Sequence, residues 1–535
     1  MAMTNSLYGD LGVLGYSEAG TIHEAAVCLH PDDDVAIAWT DLEVGTVLVP
    51  GGKNNPVERF PLLQSIPGGH KVAVRPIAAV EPVRRYGQVI GFATQAIEPG
   101  EHVHSHNLGM RGFVRESAIG ADVRPVDYVP EADRRTFLGY KRTGGEVGTR
   151  NYVAVISTVN CSAHTSFQIA HYFTMERLAA YPNVDGVIAL AHSASCSMRM
   201  GGPDHAQYQR SLIGMARHPN VSASILVGLG CELCQATGLA ETASFKRPGI
   251  RPPLALNIQE IGGVQKTVAA GIAAIEELLP IVNDTSRSRQ HISELKLALQ
   301  CGGSDGWSGV TANPILGLVV DEVIRQGGTA VLSETPEIYG AEHLLTRRAA
   351  SPEVGRKLVE RVRWWEEHTR RLQTSIDNNP TPGNIGGGLT NIYEKALGAV
   401  AKGGSTPLNA VYEYAELVAE RGLVFMDAPG YDPVSVTGQV AGGCNLVLFT
   451  TGRGSVLGFR PAPCIKIVSN SVVYQHMYTD MDFDAGRLAE GSSLEELADD
   501  LLNLVIAVAS GETTKSEAQG IGETEFMPWS LGEVI

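Results

Sequence analysis

A chain of 535 residues, 44% apolar and 19% charged, is long enough for roughly two to four domains and has the balance of a globular protein rather than a disordered one. A net charge of −16 argues against nucleic acid as the main partner but leaves room for an anionic small molecule in a locally basic cleft. No apolar run of about 18 residues suggests a membrane span, and MAMTNSLYGDLGVLGYSEAG lacks the parts of a secretory signal, so the expected location is cytoplasmic and the eight cysteines read as metal-binding or catalytic.

Residues 21–110 predict a small β-rich module. Short apolar runs (AAVCLH, DVAIAW, GTVLV, HKVAV, QVIGFA) alternate with turns rich in Gly, Pro and Asp, without a helical period. Residues 111–136 include RESAIGADVRPVDYVPEADRR, polar and interrupted by prolines, and read as a linker. From Phe137 strand-like runs alternate with helical patterns such as SFQIAHYFTMERLAAY and VQKTVAAGIAAIEELLPIV. This pattern predicts βαβ units and a parallel sheet. RSRQHISE reads as a break, which divides the body into α/β domains over 137–290 and 291–535.

Four strand-like runs end in cysteine: VAVISTVN before Cys161, DGVIALAHSAS before Cys196, SASILVGLG before Cys231 and ELKLALQ before Cys301. Parallel strands point the same way, so the residues just beyond them are expected on one edge, where open α/β sheets bind ligands. Thiolates there suit an iron–sulfur cluster, a mononuclear ferrous ion with mixed ligands, or zinc. The bland alternative is four small core residues. Cys231 and Cys234 form a CxxC with no second CxxC at zinc-ribbon spacing, and Cys28, Cys444 and Cys464 read as core.

His30 and His70 lie at strand–turn junctions, His70 beside Lys71, and are candidates for proton transfer. His102, His104 and His106 alternate in EHVHSHN; for His102 and His106 a polar surface strand is the favoured reading. CGGSDGWSGVTANP, residues 301–314, is a glycine- and serine-rich loop before a helix, suited to a carboxylate or phosphate. Glu334 and Glu337 in SETPEIYGAEH are paired carboxylates at a strand end. NNPTPGNIGGG, residues 378–388, is too long for a simple turn; Lys395 follows it, and Arg453 in TTGRGS is placed to grip a carboxylate.

These motifs, in order from about residue 25 onward, resemble the altronate/galactarate dehydratase family of sugar-acid hydro-lyases. The matching pieces include LHPDDDVAIA, GHKVAV, GEVGTRNYVAV, HSASC, GLGCE, CGGSDGWSGVTANP, SETPEIYGAEH, NPTPGNIGGG, EKALG, TTGRG and DFDAG. Ser195 in HSASC stands where the family pattern carries glycine. The resemblance implies an N-terminal SAF domain of β-clip fold, followed by an α/β body with two parallel-sheet Rossmann-like units. It implies dehydration of an aldonate or aldarate to a 2-keto-3-deoxy acid, usually with ferrous iron or another divalent cation such as Mn2+ or Mg2+.

On this basis the expected metal ligands are Cys161, His192, Cys196, Cys231 and Cys301. His30, His70, Lys71, Glu334 and Lys395 are the expected catalytic residues. Gly302, Gly303, Ser304, Asp305, Ser308, Asn384 and Arg453 are expected to hold the substrate. His30 and His70 are the expected acid and base, carried in by the small module. The expected partner is a sugar acid, with no nucleic acid and no membrane, and a homodimer is the expected assembly. The competing readings are a sulfolactate-type sulfo-lyase, which shares the enolate chemistry, and a non-catalytic iron or redox sensor. A nicotinamide dehydrogenase is disfavoured, because no strand leads into GxGxxG.

Overall fold

Strand order is what positions the functional residues. The computed structural model describes residues 12–18, 21–50, 59–112, 118–194, 196, 198–246 and 251–532; Ser195 lies outside them. No described helix is long and apolar enough to cross a membrane.

The N-terminal part is β-rich, as its alternating runs require. Its larger sheet has seven strands in the spatial order 60–61, 47–50, 12–18, 21–28, 35–38, 71–73 and 102–103, paired antiparallel throughout. The sheet thus takes in Gly12–Glu18, upstream of residue 21. Leu108–Gly109, Gln88–Ala93 and Pro82–Arg85 form a second antiparallel sheet. The stretch read as a linker lies along the C-terminal body: Gly120, Asp122 and Val129 donate backbone N–H groups to Thr346, Arg347 and Arg325. The segment read as a break contains a strand, Ser288–His291, paired antiparallel with Thr136–Gly139.

The two larger sheets of the body are parallel. The first orders its strands 186–190, 152–157, 221–228 and 254–257. The second has seven strands ordered 408–412, 422–426, 329–332, 296–301, 446–451, 464–468 and 483–484. Counted along the chain, that order is 3-4-2-1-5-6-7, which differs from the 3-2-1-4-5-6 of the dinucleotide fold. Like doubly wound folds it still reverses direction at its first strand, and Cys301 ends that strand.

Alternation along the strands explains why both faces are covered. Leu297, Leu299, Leu332, Leu448 and Ile465 enter one core, together with helices Ala312–Arg325 and Leu494–Ala509. Ala298, Val331, Val424, Val447 and Phe449 enter the other, which continues into Ile156, Leu190 and Leu226 of the four-stranded sheet. Helix Leu494–Ala509 starts with a capping box between Ser493 and Glu496, as its SLEE sequence implies.

Candidate active site

Side chains just past strand ends of the seven-stranded sheet converge on Cys301. Its Sγ lies 3.6 Å from Glu334 and 3.4 Å from Glu337, and its N–H donates to Glu334. Lys402 Nζ sits 3.0 Å from Glu334, and Lys395 Nζ sits 2.7 Å from Glu337 and 3.1 Å from Asn379. Gln300 donates to the second oxygen of Glu334 at 2.6 Å. All of these are buried except Asn379, which is half-buried. Glu334 has φ +70°, a strained left-handed conformation for a residue with a Cβ.

Burial pushes the Glu334 carboxyl up to about 8 against the pull of Lys402, with Glu337 and Asp432 adding to the rise. Burial and then Glu337 push Asp432 up to about 7, while Lys395 and Lys402 pull it down. Burial, followed by Glu334, raises the Cys301 thiol well above its usual range. Cys301, Glu334 and Glu337 offer one sulfur and two oxygens within 4.8 Å of one another. One thiol and two carboxylates form a mixed sulfur and oxygen donor set able to hold a divalent cation.

The 301–314 loop packs over this pocket. A Cβ on Gly302 would lie 2.2 Å from Asp432 Oδ2, so only glycine allows the approach. Gly303 has φ +62° and its carbonyl accepts the Arg453 N–H; Arg453 itself is exposed. The loop is held mainly by its own polar groups. Asp305, buried and raised by that burial, accepts from Ser308 N–H and Oγ, from Ser469 Oγ and from Asn470. The N–H groups of Gly302, Asp305, Gly306 and Ser308 are all spent within the protein, which narrows the anion cradle read from the sequence. Asn384 donates to the Ser304 carbonyl and completes the capping box of helix Pro382–Gly386. It shapes the loop.

The N-terminal module meets the same loops. His70 Nδ1 is 3.0 Å from His102 Nε2, its Nε2 faces the Gly386 carbonyl at 3.4 Å, and its ring stacks on His104. His104 faces the Ile385 carbonyl at 3.1 Å. Burial, then His104, lowers His70 to about 4; burial, then His70, lowers His102 to about 3. The surface-strand reading of His102 is therefore corrected: the strand is only His102–Val103, and the imidazoles pack together. His30 lies against Asp32 and the Gly87 turn of its own module. Lys71 is fully buried. Its Nζ bonds the Gly388 carbonyl at 2.6 Å and Glu394 at 2.9 Å, and Glu394 also takes Arg85 at 2.6 Å. Lys71 is thus committed to docking the module.

The four strand-end thiols are divided between two sheets. Cys161, Cys196 and Cys231 follow adjacent strands of the four-stranded sheet and are exposed, whereas Cys301 is buried in the other sheet. His192 accepts the Ala194 N–H at Nδ1, so its Nε2 donates, to the Ser157 carbonyl at 2.9 Å. With both nitrogens engaged, it has no free lone pair for a metal.

Lys402, Asp432, Gln300 and Asn379 escaped the reading of the sequence. Lys402 follows Lys395 by seven positions, two helical turns, so the spacing in EKALGAVAK could have found it. Asp432 follows the strand Gly422–Met426 at the same edge, but with no motif of its own.

Comparisons with known proteins identify the family. Three family models match: the altronate/galactarate dehydratase SAF domain over 24–111, the D-galactarate dehydratase/altronate hydrolase second domain over 139–283, and the D-galactarate/altronate dehydratase C-terminal domain over 292–534. Altronate dehydratase of Bacillus subtilis (strain 168) is 34% identical over 506 residues, 92% of this chain and 97% of that protein. Altronate dehydratase of Escherichia coli (strain K12) is 35% identical, covering 92% of this chain and 97% of its own length. Galactarate dehydratase (L-threo-forming) of the same strain is 34% identical, with 90% and 92% covered. With all three parts matched in order and identity above 30% along most of its length, the chain belongs to the altronate/galactarate dehydratase family and is a hydro-lyase.

Proposed function

We propose that this hydro-lyase dehydrates a sugar acid, an aldonate or aldarate, to a 2-keto-3-deoxy acid in the pocket around Cys301. The observation that carries the reading is the meeting of Glu334, Glu337, Asp432, Lys395 and Lys402 at one strand edge, two of the carboxyls raised to about 8 and 7. Loss of water across C2–C3 needs a base for the proton beside the carboxylate, stabilisation of the enediolate, and an acid for the leaving hydroxyl. Asp432 takes the C2 proton. Lys402 holds the developing negative charge. Lys395, on the opposite carboxylate, gives its proton to the C3 hydroxyl, which leaves as water. The enol then becomes the ketone as C3 gains a proton. Arg453, exposed beside Gly303, grips the acid end. His70, with His102 and His104, borders the loop from the module side and excludes water there.

Cys301, Glu334 and Glu337 are the residues that would hold ferrous iron or another divalent cation, which polarises a substrate oxygen when bound.

The test is a panel of aldonates and aldarates offered to anaerobically iron-loaded protein, with 2-keto acid formation followed. Turnover of at least one sugar acid is expected, and Lys395→Met should abolish it. No turnover on any member, or sulfite released from a sulfolactate instead, would overturn the assignment.

A further inference from the structure

Glu334 stands just beyond the end of a sheet ladder, where its neighbours hold it. The last parallel pair between strands Thr329–Leu332 and Gly422–Met426 is Leu332 with Phe425. Past that pair the two chains stay tied by other bonds. Ser333 Oγ donates to the Met426 carbonyl at 2.8 Å, and the Thr335 N–H donates to the Ala428 carbonyl at 2.9 Å. Thr335 Oγ1 donates to the Asp427 carboxylate. The residues on either side of Glu334 are thus each bonded to 426–428, and all of them are buried.

A residue with a Cβ keeps a φ of +70° only where its surroundings over-determine it. The Glu334 side chain is spent on the pocket, on Gln300, the Cys301 N–H and Lys402. Its backbone is restrained through Ser333 and Thr335. Asp427 is the fixed end of that restraint. Its N–H donates to the Tyr412 carbonyl at 2.9 Å. A carboxylate oxygen can take two donors at once, and the one that accepts the Thr335 hydroxyl also accepts Trp365 Nε1–H at 2.8 Å. Trp365 is held in turn. It is buried on helix Pro352–Arg371 and stacks on Trp529, with ring centroids 5.3 Å apart and planes 1° from parallel.

The same anchor reaches Asp432. The 426–428 segment runs on to helix Asp432–Ala441, and Ser435 of that helix donates to Ser333 Oγ at 3.3 Å. We infer that Asp427 and Thr335 are positioning residues for the dehydration: their bond, backed by Trp365, holds the strained Glu334 so that its carboxylate meets Lys402 and Cys301. Neither residue acts on the substrate itself. This role rests on the reaction taking place in the Cys301 pocket, as proposed above.

Thr335→Val keeps the side-chain shape and removes the donor; Thr335→Ser keeps the donor. Both are measured as full-length, iron-loaded protein on the sugar acid that the wild-type chain turns over, well below the melting temperature of each. A misplaced group costs rate more than binding, so Thr335→Val should lower kcat about 10–100-fold with KM held, and Thr335→Ser should return kcat to within about twofold of wild type. Trp365→Phe keeps the ring and removes the other donor. It should lower kcat by a smaller factor with KM held, and it serves as the test should Thr335→Val not fold. Full kcat in the folded Thr335→Val or Trp365→Phe protein, an equal loss in Thr335→Ser, or a lower melting temperature with kcat kept would each overturn the role. Lys395→Met beside them separates the two readings. Lost turnover there with full kcat in Thr335→Val defeats the positioning role alone, whereas full turnover there defeats the pocket and this role with it.

Discussion

Asp432 and Gly302 form the closest approach in the pocket, and the two can be tested against each other. Asp432→Asn keeps the shape and removes the base, so kcat should fall by about 10²–10⁴ with the melting temperature held or raised, as seen by steady-state kinetics beside thermal melting. Gly302→Ala adds a methyl where the Asp432 carboxylate stands, 2.2 Å from its oxygen. It should lower kcat with Asp432 still present, and unchanged turnover would place Asp432 outside the chemistry. At this scale the sequence was informative where a motif carried the residue. Glu334, Glu337, Lys395 and Cys301 were legible from strand ends and their neighbours, whereas Asp432 sits in an unremarkable DAPGYDP.

The element that joins the two halves is helix Ile392–Val400, which delivers Lys395 to the pocket and Glu394 to the N-terminal module. Glu394 is fully buried between Lys71 and Arg85. Glu394→Gln would leave two cations without a counter-charge, at a cost of about 3–5 kcal/mol. The expected outcome in denaturant is an earlier transition and faster proteolysis within residues 59–112, with the parallel sheets intact. Trp39 stacks on Trp307 across the same interface, ring centroids 4.7 Å apart, so indole fluorescence should report the release. The helix was not foreseen from the sequence, and the opposite duties of its adjacent Glu394 and Lys395 depend on which neighbours pack against it.

Acid should loosen the whole molecule at this interface first. His70 and His102 are held at about 4 and 3 in the folded chain, below the ordinary 6.5. The unfolded chain therefore takes up protons that the folded one refuses, so stability is full above pH 6.5 and falls as pH drops toward 4. Glu394 acts lower. Burial raises it, but Lys71 and Arg85 outweigh burial and hold it at about 2. Its stabilisation is complete above pH 4.5 and lost as pH falls toward 2. Melting temperature against pH should show both windows. Replacing His70 and His102 together by glutamine should flatten the upper window and spare the lower.

The order of strands and helices, the change from a β-rich module to parallel α/β units, and the chemistry-bearing residues at strand ends were determined by the sequence alone, because alternation and turn residues are local properties. Which strand lies beside which was decided by the tertiary structure. Four similar strand ends, each closing on a cysteine, do not encode their lateral order; packing separated Cys301 from the other three and set it between two glutamates. The same holds for Lys71 and His102, whose surroundings come from residues about 300 positions away or across a sheet. Burial, which sets their charge, exists only once those distant surfaces have met.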